Sequence, residues 1–159
     1  TLEPHTPVSV SQWNESQLPA RRLGLQLLTL EISGGEAYEP AFAQAAQAGI
    51  GAVAVSLSPT ATAYGTQIVG FAAKHRLPAI YARAYFVEIG GLMSYGPDIA
   101  TDGRIMARFV DRILKGMKPQ DLPVEQPTEF ELAINLKTVR ELGLSIPRSL
   151  LLRADRVID

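Results

Sequence analysis

A chain of 159 residues, 47% apolar and 19% charged, has the length for one domain with a substantial core. Its formal charge of -1, with both signs interspersed, gives no electrostatic footprint for nucleic acid or an anionic membrane surface. Cysteine is absent, which excludes disulfides and thiol chemistry, and the longest apolar run, Ile50 to Leu57, is too short to span a bilayer.

Thr1 to Pro19 is polar, carries Pro4, Pro7 and Pro19, and reads as an irregular lead-in with a helical turn near Trp13 at most. Arg21 to Gly24 reads as the tail of a short helix ended by glycine. Leu25 to Ile32 is rich in Leu and Ile and predicts a largely buried strand, broken by Ser33-Gly34-Gly35. Tyr38 to Ala48 has Phe42, Ala45 and Ala46 at helical spacing and Gly49 as a stop. Gly51 to Leu57 predicts a parallel strand covered on both faces. After the Ser58-Pro59-Thr60 turn, Thr62 to Lys74 predicts a single helix, with His75 at its surface end, and Ala79 to Tyr81 a short strand.

Leu92 to Tyr95 predicts another strand. Asp98 to Leu114 has apolar pairs every three to four residues and predicts a helix, with acidic residues at its start and basic ones at its end. Lys118 to Pro127 reads as an exposed connector, Phe130 to Asn135 as a strand, and Thr138 to Leu142 as a short helix closed by Gly143. Pro147 opens a last turn, with Leu150 to Val157 helical. Strands alternating with helices predict an α/β fold with right-handed parallel connections.

Positive signs of catalysis are missing. No glycine-rich phosphate loop occurs, and Ser33-Gly34-Gly35 after a strand is the nearest approach. His5 and His75 lie far apart, so no zinc-ligand pair forms in sequence, and Ser56 and Ser58 have no adjacent base. These observations predict a protein that is not an enzyme, with no metal site and no cofactor.

The segment Leu77 to Pro97 concentrates the recognition chemistry. Tyr81, Arg83, Tyr85 and Phe86 lie at or beyond the carboxyl end of a strand, where open α/β sheets bind ligands. Arg83 offers a planar fork suited to a carboxylate, and the aromatic rings offer flat contact surface. Ser56, Ser58 and Thr60 follow the preceding strand and can supply hydroxyls, while Tyr95 closes the strand after Gly90-Gly91. An equally simple reading makes Tyr85 and Phe86 core residues, leaves Arg83 solvated and treats Tyr95 as half-buried. Local sequence leaves both readings open.

Three long pieces carry a resemblance: Lys74 to Asp98 (KHRLPAIYARAYFVEIGGLMSYGPD), Phe109 to Pro119 (FVDRILKGMKP) and Asp121 to Asp159. Together they resemble the C-terminal half of the ABC-transporter substrate-binding proteins of the tryptophan-binding type, with a looser match upstream to Leu25. The resemblance implies a mostly parallel three-layer sheet: one lobe of a type I periplasmic-binding-protein-like fold plus a fragment of the other. Residues 1–20 would be the lead-in, 21–80 the second-lobe core, and 81–159 the crossing segments and partial first lobe. Within the last part, Met93 to Gly116 would contribute to the first lobe.

The resemblance further implies a periplasmic or lipid-anchored extracytoplasmic receptor. Such a receptor captures a small solute, an aromatic amino acid or related carboxylate, and delivers it to an ABC importer permease. The ligand-binding set would be Ser56, Ser58, Thr60, Tyr81, Arg83, Tyr85 and Tyr95. The chain departs from the family pattern in lacking a first lobe, a leader and an opening strand. The helix start Ala100 to Arg104 also lacks the aromatic residue and paired arginines common there. Two further expectations follow: a homodimer through the surface that lobe would cover, or a truncated lobe serving as a protein-interaction or structural module.

Overall fold

In the computed structural model, which describes residues 7–125 and 128–159, five strands form one sheet in chain order. β1 (Val53–Val55), β2 (Ala79–Tyr81) and β3 (Met93–Pro97) are parallel. β4 (Phe130–Asn135) runs antiparallel to β3, and β5 (Arg156–Ile158) parallel to β4. The helices are α1 (Pro7–Arg22), α2 (Tyr38–Gln47), α3 (Pro59–Ala63), α4 (Gly65–Lys74) and α5 (Tyr85–Glu88), then α6 (Ile99–Leu114), α7 (Leu136–Leu142) and α8 (Arg148–Leu151). The sheet is mostly parallel α/β, as its alternating pattern predicts.

Two apolar clusters hold it. In the first, Phe42 and Ala45 of α2 and Ile68, Val69 and Ala72 of α4 cover the inward residues Val53, Val55, Ala79 and Tyr81. In the second, Leu92, Leu132, Ile134 and Val139 are joined by partly buried residues of the α7–α8 segment. Asn135 ties the two together. Its Oδ1 accepts the Thr138 N–H at 3.1 Å, capping α7, while its Nδ2 donates to the Val87 carbonyl at 3.2 Å. Thr138 Oγ1 donates to the Gly90 carbonyl at 2.9 Å, so the loop between β2 and β3 is clamped to the start of α7.

Several expectations are corrected. The lead-in is helical from Pro7: proline is favourable as the first helical residue, where its missing N–H would go unpaired in any case. Pro19 falls within the last turn, which continues until Gly24, at φ +67°, closes it with the Leu25 N–H donating to the Ala20 carbonyl at 2.9 Å. Residues 1–6 lie outside the described part.

Leu25 to Ile32 is not a strand. Only Glu31 forms an isolated bridge, and Leu25 and Leu28 are exposed, because no continuous ladder among the described residues receives the segment. β1 is covered on one face only: Val53 and Val55 are buried while Ala54 is exposed. The helix expected over 62–74 breaks at Tyr64. Ser58 starts α3 one turn earlier by accepting the Ala61 N–H at 2.9 Å, and α4 begins anew at Gly65. His75 caps the end of α4 half-buried, with no partner for its Nε2.

The last helical expectation also changes. Helix α8 stops at Leu151, and residues 156–158 pair with β4 instead. Asp155 sets that register, since its carboxylate accepts the Leu132 N–H at 2.8 Å while its own N–H donates to the Leu132 carbonyl at 2.9 Å. The connector after α6 is exposed where described, Val124 almost wholly so, and Gln126 and Pro127 lie outside the described residues. The expected division at residue 80 falls within β2, inside one continuous sheet. Met93–Pro97, expected in the first lobe, is the central strand of that sheet.

Backbone crowding explains the glycine of β3. A Cβ on Gly96 would stand 2.0 Å from the Ala82 carbonyl oxygen, whereas one on Gly70, within α4, meets nothing within 4 Å. Gly96→Ala is therefore expected to lower unfolding free energy by about 2 kcal/mol or more. Gly70→Ala should raise it by roughly 0.5–1 kcal/mol. Urea denaturation of both variants checks the contrast.

Candidate functional site

Three segments end at the carboxyl side of the parallel strands. Ser56 to Thr60 follows β1, Ala82 to Tyr85 follows β2, and Asp98 follows β3. Ser56, Ser58 and Thr60 are half-buried there. Ser58 Oγ is partly committed as the cap of α3, leaving its hydroxyl proton to donate.

Two half-exposed tyrosines flank Gly65. Tyr64 precedes it, and its ring lies so flat on Gly35 that a Cβ there would sit 1.9 Å from the ring. Behind it stands buried Tyr38, with ring centroids 6.5 Å apart. Tyr85 packs against Gly65 from the other side, one ring carbon 3.0 Å from where a Cβ would stand. Its ring meets Phe86 edge-on at 5.6 Å, and Phe86 stacks on Tyr81 at 4.8 Å. Glycine at positions 35 and 65 thus lets the two aromatic rings lie against the backbone.

Arg83 is engaged by groups of the chain itself. Its Nη1 donates to the Pro97 carbonyl at 3.1 Å and stands 3.5 Å from Asp102 Oδ2. It joins the end of β2 to the first turn of α6 and remains partly exposed. Tyr81 is buried under α4 rather than displayed at the strand end, and burial pushes its hydroxyl well above the ordinary phenol range. Tyr95 is exposed and stacks on Phe130 at 5.6 Å, a pairing carried by the β3–β4 ribbon. The structure thus leaves Ser56, Ser58 and Thr60 half-buried after β1 and Tyr64 and Tyr85 half-exposed, sets Arg83 beside Asp102, and buries Tyr81.

Residues 2–158 match the family model described as ABC transporter substrate binding protein. The chain belongs to that family. Among solved structures, the chain is similar to a conserved domain protein from Vibrio cholerae, at 24% identity and a TM-score of 0.88, covering 98% of this chain and 52% of that one. It is similar also to an ABC domain in complex with L-Trp from Streptococcus pneumoniae, at 26% identity and a TM-score of 0.87, covering 99% and 54%. A ligand-free, open substrate binding protein with adhesive properties from Clostridium difficile shares 18% identity at a TM-score of 0.69, covering 99% and 52%. No curated protein sequence matches. The chain spans about half the length of these relatives, and its sheet is that of one lobe of the type I periplasmic-binding architecture. The family is one of binding proteins that carry out no chemistry on the solute.

Sequence reading did not single out Tyr64 as a candidate surface residue. It treated 62–74 as one helix, which hid the residue on its outer face. The available signal was the pair Tyr64-Gly65 placed one turn after a Ser-Pro helix start.

Tyr81 is almost wholly buried. Its pKa is raised in the folded chain, so its contribution to stability is complete below the unfolded phenol value of about 10 and is lost as pH rises beyond it. Tyr81→Phe should flatten the fall in thermal midpoint above about pH 10 while leaving neutral-pH stability unchanged or higher.

Proposed function

We propose that this chain supplies part of the solute-contacting surface of an extracytoplasmic, periplasmic or lipid-anchored, receptor of an ABC importer. The receptor captures a small solute and passes it to the permease without chemical change. The observations that carry the reading are the half-exposed rings of Tyr64 and Tyr85, seated against Gly35 and Gly65, and the half-buried Ser56, Ser58 and Thr60 that follow β1. Two planar faces with adjacent hydroxyl groups suit a flat ring bearing polar substituents. The solute class is an aromatic amino acid or a related aromatic carboxylate. The Streptococcus pneumoniae relative, in complex with L-Trp, supports that class.

Arg83 serves the carboxylate of the solute by exchange. Its fork has five N–H groups, and a ligand carboxylate reaching it competes with Asp102. Tyr81 acts from below, by stacking on Phe86, and Tyr95 extends the aromatic surface along β3. Calorimetric titration of L-tryptophan tests the site. Tyr85→Ala and Tyr64→Ala should each weaken binding about tenfold or more, the scale of a lost aromatic contact in a desolvated site. Asp102→Asn should strengthen carboxylate binding by freeing Arg83, and Arg83→Ala should abolish that gain. Affinity untouched by all four variants contradicts the reading.

A second reading rests on α6. Met106, Val110, Ile113 and Leu114 are exposed on one helix, together with Met117 just beyond it. Two copies pairing these helices antiparallel would set Asp98 and Asp102 of one near Arg112 and Lys115 of the other. The stripe offers on the order of 500 Å² per copy, which reaches the lower bound for a specific interface. A homodimer of this form gives a sedimentation coefficient that falls to the monomer value in Val110→Glu. A wild-type chain that is monomeric at 100 micromolar, on the order of a weak dimer's dissociation constant, rules it out.

A further inference from the structure

A separate cavity of about 140 Å³ opens between α4, the buried face of β2, the Gly90-Gly91 loop and α7. Apolar side chains of Val69, Ala72, Leu77, Leu92 and Leu142 line much of it, together with Tyr81, and Thr138 and the Gly90-Gly91 backbone complete the wall. That volume resembles cavities that accept a single benzene-sized group. The mouth carries opposite charges, Arg76 from the end of α4 and Glu141 from α7.

Those two side chains do not neutralise each other. Arg76 donates from Nη2 to the backbone carbonyl of Glu141 at 3.3 Å, and neither residue forms a side-chain ion pair among the described residues. Arg76 is also the one non-glycine described residue at positive φ, +52°, a conformation disfavoured for a side chain of its size. This left-handed residue caps α4, with the Leu77 N–H donating to the Ala72 carbonyl at 2.9 Å, and the cap sets the guanidinium beside the opening. An apolar well with a cation and an anion at its rim matches an apolar α-amino acid: carboxylate toward Arg76, ammonium toward Glu141, branched side chain inside.

We propose that this cavity is a second binding site, for an aliphatic α-amino acid of valine or leucine size. It shares only Tyr81 with the residues proposed above and does not depend on the strand-end site. Burying a ligand side chain there braces α7 against α4 and the Gly90-Gly91 loop, whose carbonyl Thr138 already holds.

Amide-resolved NMR titration of the whole chain with L-leucine tests it. Saturable shifts are expected at Ala72, Leu92 and Leu142, with binding in the millimolar range suited to a half-open pocket of this size. 4-Methylpentanoate, which lacks the ammonium, and isoamylamine, which lacks the carboxylate, should each bind at least fivefold more weakly. Arg76→Gly, which suits the positive φ and so preserves folding, and Glu141→Gln should each weaken leucine at least fivefold. Absence of shifts around the cavity, shifts confined to Ser58–Tyr64, equal binding of all three compounds, or retained affinity in Arg76→Gly would each overturn the proposal.

Discussion

The geometry of this protein depends on how closely the backbone leaving β2 approaches β3. Gly96 lies against the Ala82 carbonyl, and Gly91 fits between the Tyr81 ring and the Phe86 carbonyl, where a Cβ would stand 2.7 Å and 2.6 Å from them. No side chain fits at either point. That crowding brings the strand-end segment after β2 onto the sheet rather than away from it. Asn135 and Thr138 then fasten the intervening loop to β4 and α7. The two apolar clusters lie on either side of this junction, so the segment after β2 and the C-terminal third of the chain are positioned together.

Arg83 shows how one residue can belong to both architecture and recognition. Its bond to the Pro97 carbonyl and its proximity to Asp102 tie the end of β2 to the start of α6. Helix α6 has few other attachments. Its first turn is further secured by Thr101, whose hydroxyl engages Asp98 and Glu129, and by Arg104 beside the same carboxylates. A charged cluster at the base and an exposed apolar stripe along its length make α6 a projecting element. If the solute carboxylate exchanges with Asp102 at Arg83 as proposed, binding is linked to the orientation of that helix.

Much of this was legible in the sequence, for identifiable reasons. Val53–Val55 and Ala79–Tyr81 announce themselves because glycine or proline bounds short runs that the core must bury, and the three-to-four repeat in 98–114 survives as α6. Reading failed where a tertiary partner decides the outcome. The leucines of 25–30 carry a strand composition, but a strand exists only as part of a ladder. Residues 156–158 look like a helix end until Asp155 meets the Leu132 backbone, 23 positions away. The proline-containing start looked irregular because Pro7 and Pro19 were weighed as breakers, although both stand near helix ends where proline is tolerable. Of the proposed strand-end surface, the serines and Tyr85 follow from the carboxyl-end rule, whereas Tyr64 comes into view only through a helix break and its packing on Gly35.

The central claim is that the strand-end surface around Gly65 receives a flat, polar-substituted ring. Amide NMR mapping of the whole chain titrated with L-tryptophan tests it most directly. The account predicts saturable shifts clustered at Ser56–Thr60, Tyr64–Gly65 and Arg83–Tyr85, lost when Tyr64 and Tyr85 are both replaced by alanine. Shifts that avoid all three segments, or that persist unchanged in the double variant, would contradict it.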